Sequence, residues 1–229
     1  LKTGGGHKIH ATNSLKEVNH DLSLLLGVNS ADYLSNHQGF NSVVKPLERN
    51  LTGCEEWKSL QELFYVLNNT INYVVLRNFD CLPKKPYEDE HGDVDILCDD
   101  LVNLCFITNA KKIFTKQHRV HYSILISGQK VRFDFRFVGD DYYDTRFQKK
   151  ILDNRVLSNK IFYKPSDLDY FYSLIYHAVI HKRSISEDYL HKILKTAEQI
   201  NLRFAISDKL SICKILEEYL LKSNYLITK

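Results

Sequence analysis

Methionine is absent from this sequence, even at position 1, and the chain opens on Leu1-Lys2-Thr3-Gly4-Gly5-Gly6. Such a start reads as the interior of a longer chain or as the product of processing. No apolar run approaches the ~20 residues that a membrane-spanning helix needs, and no secretory signal peptide is visible. There is no excess of one charge: the net value is +3, with the basic residues spread along the chain. That pattern makes long nucleic acid a poor partner, because nucleic-acid binders gather Lys and Arg on one face. There is no C-x-x-C pair and no metal-site spacing among the five cysteines, Cys54, Cys81, Cys98, Cys105 and Cys213. Their odd number and scatter speak for reduced thiols and a cytoplasmic location, not for a disulfide framework.

What is present is an ordinary globular composition, 44% hydrophobic and 26% charged, enough for a packed core. One stretch carries chemistry: His91-Gly92-Asp93-Val94-Asp95-Ile96-Leu97. Side chains alternate along a strand, so Asp93 and Asp95 are expected on one face, with Val94 and Ile96 on the other. Adjacent carboxylates repel unless a cation lies between them. A hard divalent ion such as Mg²⁺, with its oxygen ligands and retained waters, suits them. A third carboxylate lies in Lys130-Val131-Arg132-Phe133-Asp134-Phe135-Arg136-Phe137, where Val131, Phe133, Phe135 and Phe137 alternate with Arg132, Asp134 and Arg136. Pairing of Asp134 with Arg132 or Arg136 on a solvated face is the competing reading.

Residues 1–50 read as a helical and connecting segment. Ser14-Leu15-Lys16-Glu17 is a capping box ahead of a helix ending at Gly27, and 28–50 is a linker with room for one short helix. Residues 51–155 read as the core. A helix is expected over Glu55–Leu67, closed by Asn68-Asn69, then a strand over Tyr73–Leu76 and a Pro-containing loop over Leu82–Glu90. The acidic strand Asp93–Leu97 follows, then a helix over Leu101–Phe114 with Asp99-Asp100 at its start. Strands over His121–Ile126 and Lys130–Phe137 are joined at Ser127-Gly128-Gln129 as a hairpin. Asp140, Asp141 and Asp144 read as loop carboxylates. Residues 156–229 read as an all-helical domain, with helices over Asp167–Lys182, Glu187–Ile200 and Asp208–Leu221. His177 and His181 share one helix face and could bind a metal, but the residues between them hold no H-E-x-x-H glutamate; His177 packing in the core is the favoured reading. Lys182 and Arg183 cap carbonyls or reach a phosphate.

This order of elements, with Asp93 and Asp95 as an Asp-x-Asp pair and Asp134 as a third carboxylate, resembles the nucleotidyltransferase superfamily of DNA polymerase β type. Val75-Leu76-Arg77-Asn78-Phe79-Asp80 followed by Gly92-Asp93-Val94-Asp95 is similar to bacterial members of that superfamily, some encoded near surface-polysaccharide genes. The resemblance implies an α+β fold, with a small mixed sheet, flanking helices and a helical C-terminal domain. It also implies a two-metal mechanism: Asp93 and Asp95 hold Mg²⁺ on the phosphates of a nucleoside triphosphate. Asp134 helps hold a second ion and orients an acceptor hydroxyl of a sugar, protein or small molecule. Arg77 and Asn78 stand where the family has Gly-Gly or Gly-Ser. They either contact the triphosphate through guanidinium and amide donors or mark a non-catalytic binding module.

A second likeness lies in Gly6-His7-Lys8-Ile9-His10-Ala11-Thr12-Asn13. It resembles the Asn-x-x-His-Gly-Ser-Asp segment of nucleoside diphosphate kinases, with His10 for the phosphorylated histidine and Asp21 for the acid that orients it. The sheet of such a kinase would precede Leu1, so the likeness implies the remnant of a fused domain.

Overall fold

A computed structural model describes residues 12–36, 46, 48–86, 92–116 and 120–228, without the side chain of Phe204. His7, His10, Ala11 and His91 lie outside the described residues.

The first helix, α1 (Leu15–Leu26), forms where its caps predict. The Ser14 hydroxyl accepts from the Glu17 amide, and Gly27 closes the helix at φ 72°. That left-handed conformation suits glycine. The linker holds a short α2 (Ser30–Asn36). α3 (Leu60–Thr70) starts later than expected, because Ser59 takes the capping role by accepting from the Glu62 amide. Trp57 therefore precedes the helix. It is fully buried, and its indole N–H donates to the Thr108 carbonyl. The Asn68-Asn69 pair does not stop α3; both amides bond carbonyls, of Ile161 and Tyr65, and the helix runs past them.

Five strands make one mixed sheet in the order β1-β2-β5-β4-β3. β1 is Tyr73–Arg77, β2 is Val94–Cys98, β3 is Lys111–Lys112, β4 is His121–Ile126 and β5 is Gln129–Phe137. Only β2 and β5 pair in parallel. α4 (Leu101–Thr108) ends well short of Phe114, because Asn109 turns left-handed at φ 51°, a conformation Asn tolerates. Lys111 and Lys112 then join the sheet edge instead of ending a helix.

Alternation sends Tyr73, Val75, Val94, Ile96, Phe133 and Phe135 to one face, where α3 and Trp57 cover them. The opposite face offers Val74, Leu76 and Leu97 to a second core, built from Tyr142 onward. That core holds α5 (Thr145–Asp153), a helix capped by Asp144. The stretch from 156 is not helical throughout. It opens with a hairpin of β6 (Val156–Ser158) and β7 (Phe162–Lys164), and Phe162 packs against Phe64 of α3 at 5.3 Å. α6 (Asp167–Tyr176), α7 (Glu187–Gln199) and α8 (Lys209–Ser223) follow. The helix expected over Asp167–Lys182 changes hand-hold midway, passing into a π-helical turn at His177–His181. The protein is thus α+β, with a five-stranded mixed sheet and eight α-helices among the described residues. None of those helices is long and apolar enough to cross a membrane, and all five cysteines are free thiols.

Candidate functional site

Three strand pairings align one row of side chains. The β1–β2 register sets Arg77 opposite Asp95, β2–β5 sets Asp95 opposite Asp134, and β4–β5 sets Asp134 opposite His121. Arg77 joins this row through an irregularity of β1 between Val75 and Arg77. In a regular strand, Arg77 would share the face of Val75, which lies in the core under α3. A bulge of this kind turns the next side chain to the other face. Asn78 then ends the strand at φ 58°.

The row forms the floor of a cleft of about 530 Å³ between the sheet and the second core. Asp93, His121 and Asp134 each bring one ligand atom to within 4.8 Å of the other two. Asp95 is not part of that group. Its Oδ1 accepts from Arg77 Nη2 at 2.5 Å, with 2% of Asp95 and 8% of Arg77 exposed. Two of the three expected carboxylates therefore meet, a histidine joins them, and the third carboxylate is held by the arginine beside it. Of the two neighbouring arginines, Arg136 lies 3.6 Å from Asp140.

Burial, then the neighbouring Asp93 charge, raises Asp134 above the usual carboxylate range, while His121 pulls the other way. Burial pushes Asp95 up to about 7, aided by Asp93 and Asp134 and opposed by Arg77. Asp134 Oδ1 and His121 Nδ1 are sealed from solvent and have no hydrogen-bond partner.

The facing wall is aromatic and neutral. The Tyr142 ring lies between the Arg136 guanidinium, 3.9 Å from its centroid, and the parallel His181 ring at 4.1 Å. The Tyr142 hydroxyl bonds His177 Nδ1 at 2.5 Å, and His181 Nε2 donates to the Tyr142 carbonyl at 2.8 Å. Burial, reinforced by Arg77, lowers His177 from 6.5 to about 2. Burial and the nearby Arg136 lower His181 to about 4, against the bond to Tyr142. His177 packs and bonds within the wall, as expected, and His181 does so beside it. The π-helical turn carries both onto Tyr142, consistent with the frequent use of such turns beside functional sites. Lys182 stands on the lining beyond them.

The other carboxylates singled out in the sequence have these places, with Asp141 on the cleft lining beside Asp140. Asp140 accepts from the Tyr142 amide and from Gln148 Nε2. Asp144 caps α5 and Asp100 caps α4. Asp21 lies 3.0 Å from Nδ1 of its neighbour His20. Sequence reasoning missed His121, Tyr142 and Arg136. For His121 a signal existed. A tight hairpin pairing Ile126 with Gln129 necessarily pairs His121 with Asp134. Tyr142 and Arg136 left no comparable trace, since their meeting with His181 is long-range.

Comparison with family models, with curated proteins and with solved structures finds no match to this chain.

Proposed function

We propose that this chain is a metal-dependent nucleotidyltransferase, moving a nucleoside monophosphate from a nucleoside triphosphate to a hydroxyl acceptor. The observation that carries the reading is the convergence of Asp93 and Asp134 at one mouth of a polar cleft. Asp134 lies on β5 and Asp93 immediately before β2, the strand parallel to it, in the element order of the superfamily the sequence resembles. Two carboxylates facing one space, one with an unpartnered buried oxygen, are a donor set that fits a divalent cation. Two such ions, Mg²⁺ in the simplest case, would stabilise the attacking and leaving oxygens of an in-line displacement.

The chain's own groups divide the remaining work. Asp93 and Asp134 hold the metal, and Asp95 fixes the Arg77 guanidinium beside them. Asp134 orients the acceptor hydroxyl. Arg77 and Asn78 approach the donor phosphates, and Lys182 adds positive charge from the opposite lining. The neutral wall of Tyr142, His177 and His181 keeps water from part of the cleft, which strengthens every charge contact there. In this reading, residues 51–155 are a nucleotidyltransferase-like core and the helical residues beyond them close the cleft. A sugar of surface-polysaccharide metabolism is one acceptor of the right chemistry, and the reaction would take place in the cytoplasm.

The first test titrates Mg²⁺ and a panel of nucleoside triphosphates into the purified chain while following thermal unfolding. A ligand at 100 times its Kd stabilises by about 2.7 kcal/mol. The expected result is a shift that needs metal and nucleotide together and is lost in Asp93→Asn. No shift with any triphosphate overturns the reading. One observation favours a second reading, a non-catalytic nucleotide-binding module: Asp95 is already engaged by Arg77. That reading expects the shift with no transfer product.

A further inference from the structure

We infer that His121 is a metal ligand, and that Asp93, His121 and Asp134 form a mixed nitrogen–oxygen site for a first-row transition ion, preferred over Mg²⁺. The inference rests on the reading above only for Asp93 and Asp134 as metal ligands; it needs no nucleotide and no transfer chemistry.

The geometry is the first ground. His121 Nε2 lies 3.6 Å from Asp134 Oδ1. That is longer than a hydrogen bond, so the pair is not a simple donor–acceptor contact. Two ligand atoms, each about 2.1 Å from a shared ion, stand roughly 3.0–3.4 Å apart for octahedral or tetrahedral angles. The observed spacing needs only a small closure to reach this. Asp93 brings its ligand atom within 4.8 Å of both. The rigidity of the frame is the second ground. His121 and Asp134 are cross-strand partners in β4 and β5, and the Phe114 ring meets the His121 ring edge-on at 5.3 Å. A site on paired strands is held more closely than one on loops.

The third ground is what is left unpaired. Asp134 Oδ1, the oxygen that faces His121 Nε2, is desolvated and without a hydrogen bond. Such an atom costs folding free energy unless a ligand or water satisfies it. Two carboxylates and a neutral imidazole also balance the charge of one divalent ion. The choice of ion follows from the donors. Carboxylates alone suit Mg²⁺, whereas an imidazole nitrogen favours Zn²⁺, Fe²⁺ and Ni²⁺. Asp95, the remaining hard donor, is occupied by Arg77, which lowers the oxygen count that Mg²⁺ would demand.

The test measures Zn²⁺ and Mg²⁺ binding to the intact chain by calorimetry, and Mn²⁺ binding by pulsed electron paramagnetic resonance. One ion per chain is expected, with Zn²⁺ bound at least about tenfold more tightly than Mg²⁺. A nitrogen modulation is expected on the bound Mn²⁺. His121→Ala and His121→Gln should lower Zn²⁺ affinity by about 10–100-fold, abolish the nitrogen modulation, and leave the metal-free melting curve close to that of the parent. Equal affinity for Zn²⁺ and Mg²⁺, or Zn²⁺ binding unchanged in both variants, overturns the inference. A Mg²⁺-dependent nucleotide shift indifferent to His121 sinks this inference alone. Zn²⁺ binding that needs His121, with no response to any nucleotide, upholds it and sinks the nucleotidyltransferase reading.

Discussion

Phe133 and Asp134 are adjacent in sequence and look out from opposite faces of the same strand. Phe133 is sealed beneath α3 and Trp57, with its ring 5.8 Å from that of Phe135. Asp134 faces the cleft, with His121 and Asp93 as neighbours. On the first face every residue gains by excluding water, so any apolar residue of similar volume does the same job. On the second, burial raises the energy of each charge, and each needs its own partner. The face under α3 is apolar throughout, whereas the opposite face divides between the apolar Val74, Leu76 and Leu97 of the second core and the charged row of the cleft.

This contrast can be broken in order of expected effect. Phe133→Ala should destabilise the protein by about 3–5 kcal/mol, the usual cost of emptying a buried aromatic site, as read by denaturant unfolding. A loss under 1 kcal/mol would mean that the dry face is not the source of stability. Asp95→Ala comes next. It strands the Arg77 guanidinium in a buried setting, and removing one partner of a buried pair costs about 3 kcal/mol or more. The double change Asp95→Ala with Arg77→Met should recover much of that loss, and failure to recover would show that the pair is not the reason.

A smaller and pH-dependent effect belongs to the cleft wall. His177 takes up a proton below 6.5 in the unfolded chain, but only near 2 in the folded one. Between those values the unfolded state binds more protons, so stability is full above 6.5 and is lost as pH falls. His177→Gln should flatten the acid limb of a stability–pH curve by roughly 1.4 kcal/mol per pH unit. Asp95 works in the opposite sense. Its folded value is raised from 3.8 to about 7, so its contribution is present below the unfolded value and lost as pH rises through 7. An unchanged acid limb in His177→Gln would show that this imidazole does not stay neutral. The smallest effect is expected for Asp134→Asn, within about 1 kcal/mol of the parent. It removes a carboxyl whose pKa burial and Asp93 raise, and should cost metal binding far more than stability, as calorimetry with Zn²⁺ would read.

Much of this architecture was legible in the order of residues. Alternation in 130–137 is a local property, and so is the Ser14 cap with Gly27. Both forms follow from sterics and hydrogen bonding within a few residues. The boundaries that moved did so for equally physical reasons. Ser59 outcompeted the earlier start of α3, and Asn109 ended α4 by adopting a left-handed turn. The hairpin of β6 and β7 was hidden in an expected helical region. Phe162 lies in the core with Phe64, a contact no local pattern announces.

The sequence by itself determined which side chains share a face: Asp93 with Asp95, and Asp134 with Arg132 and Arg136, while the turn one residue shorter than expected set His121 opposite Asp134. Period-two alternation and turn length are local rules, so they need no knowledge of the rest of the chain. Only the tertiary structure decided how those faces were spent. The irregularity in β1 turns Arg77 toward Asp95 and removes that carboxylate from the group around Asp134. The second core brings Tyr142, His177 and His181 across the cleft. Both outcomes depend on strand register and packing between segments far apart in sequence. There, the competition among partners for one buried charge is settled by distance and desolvation, and no run of neighbouring residues records the result.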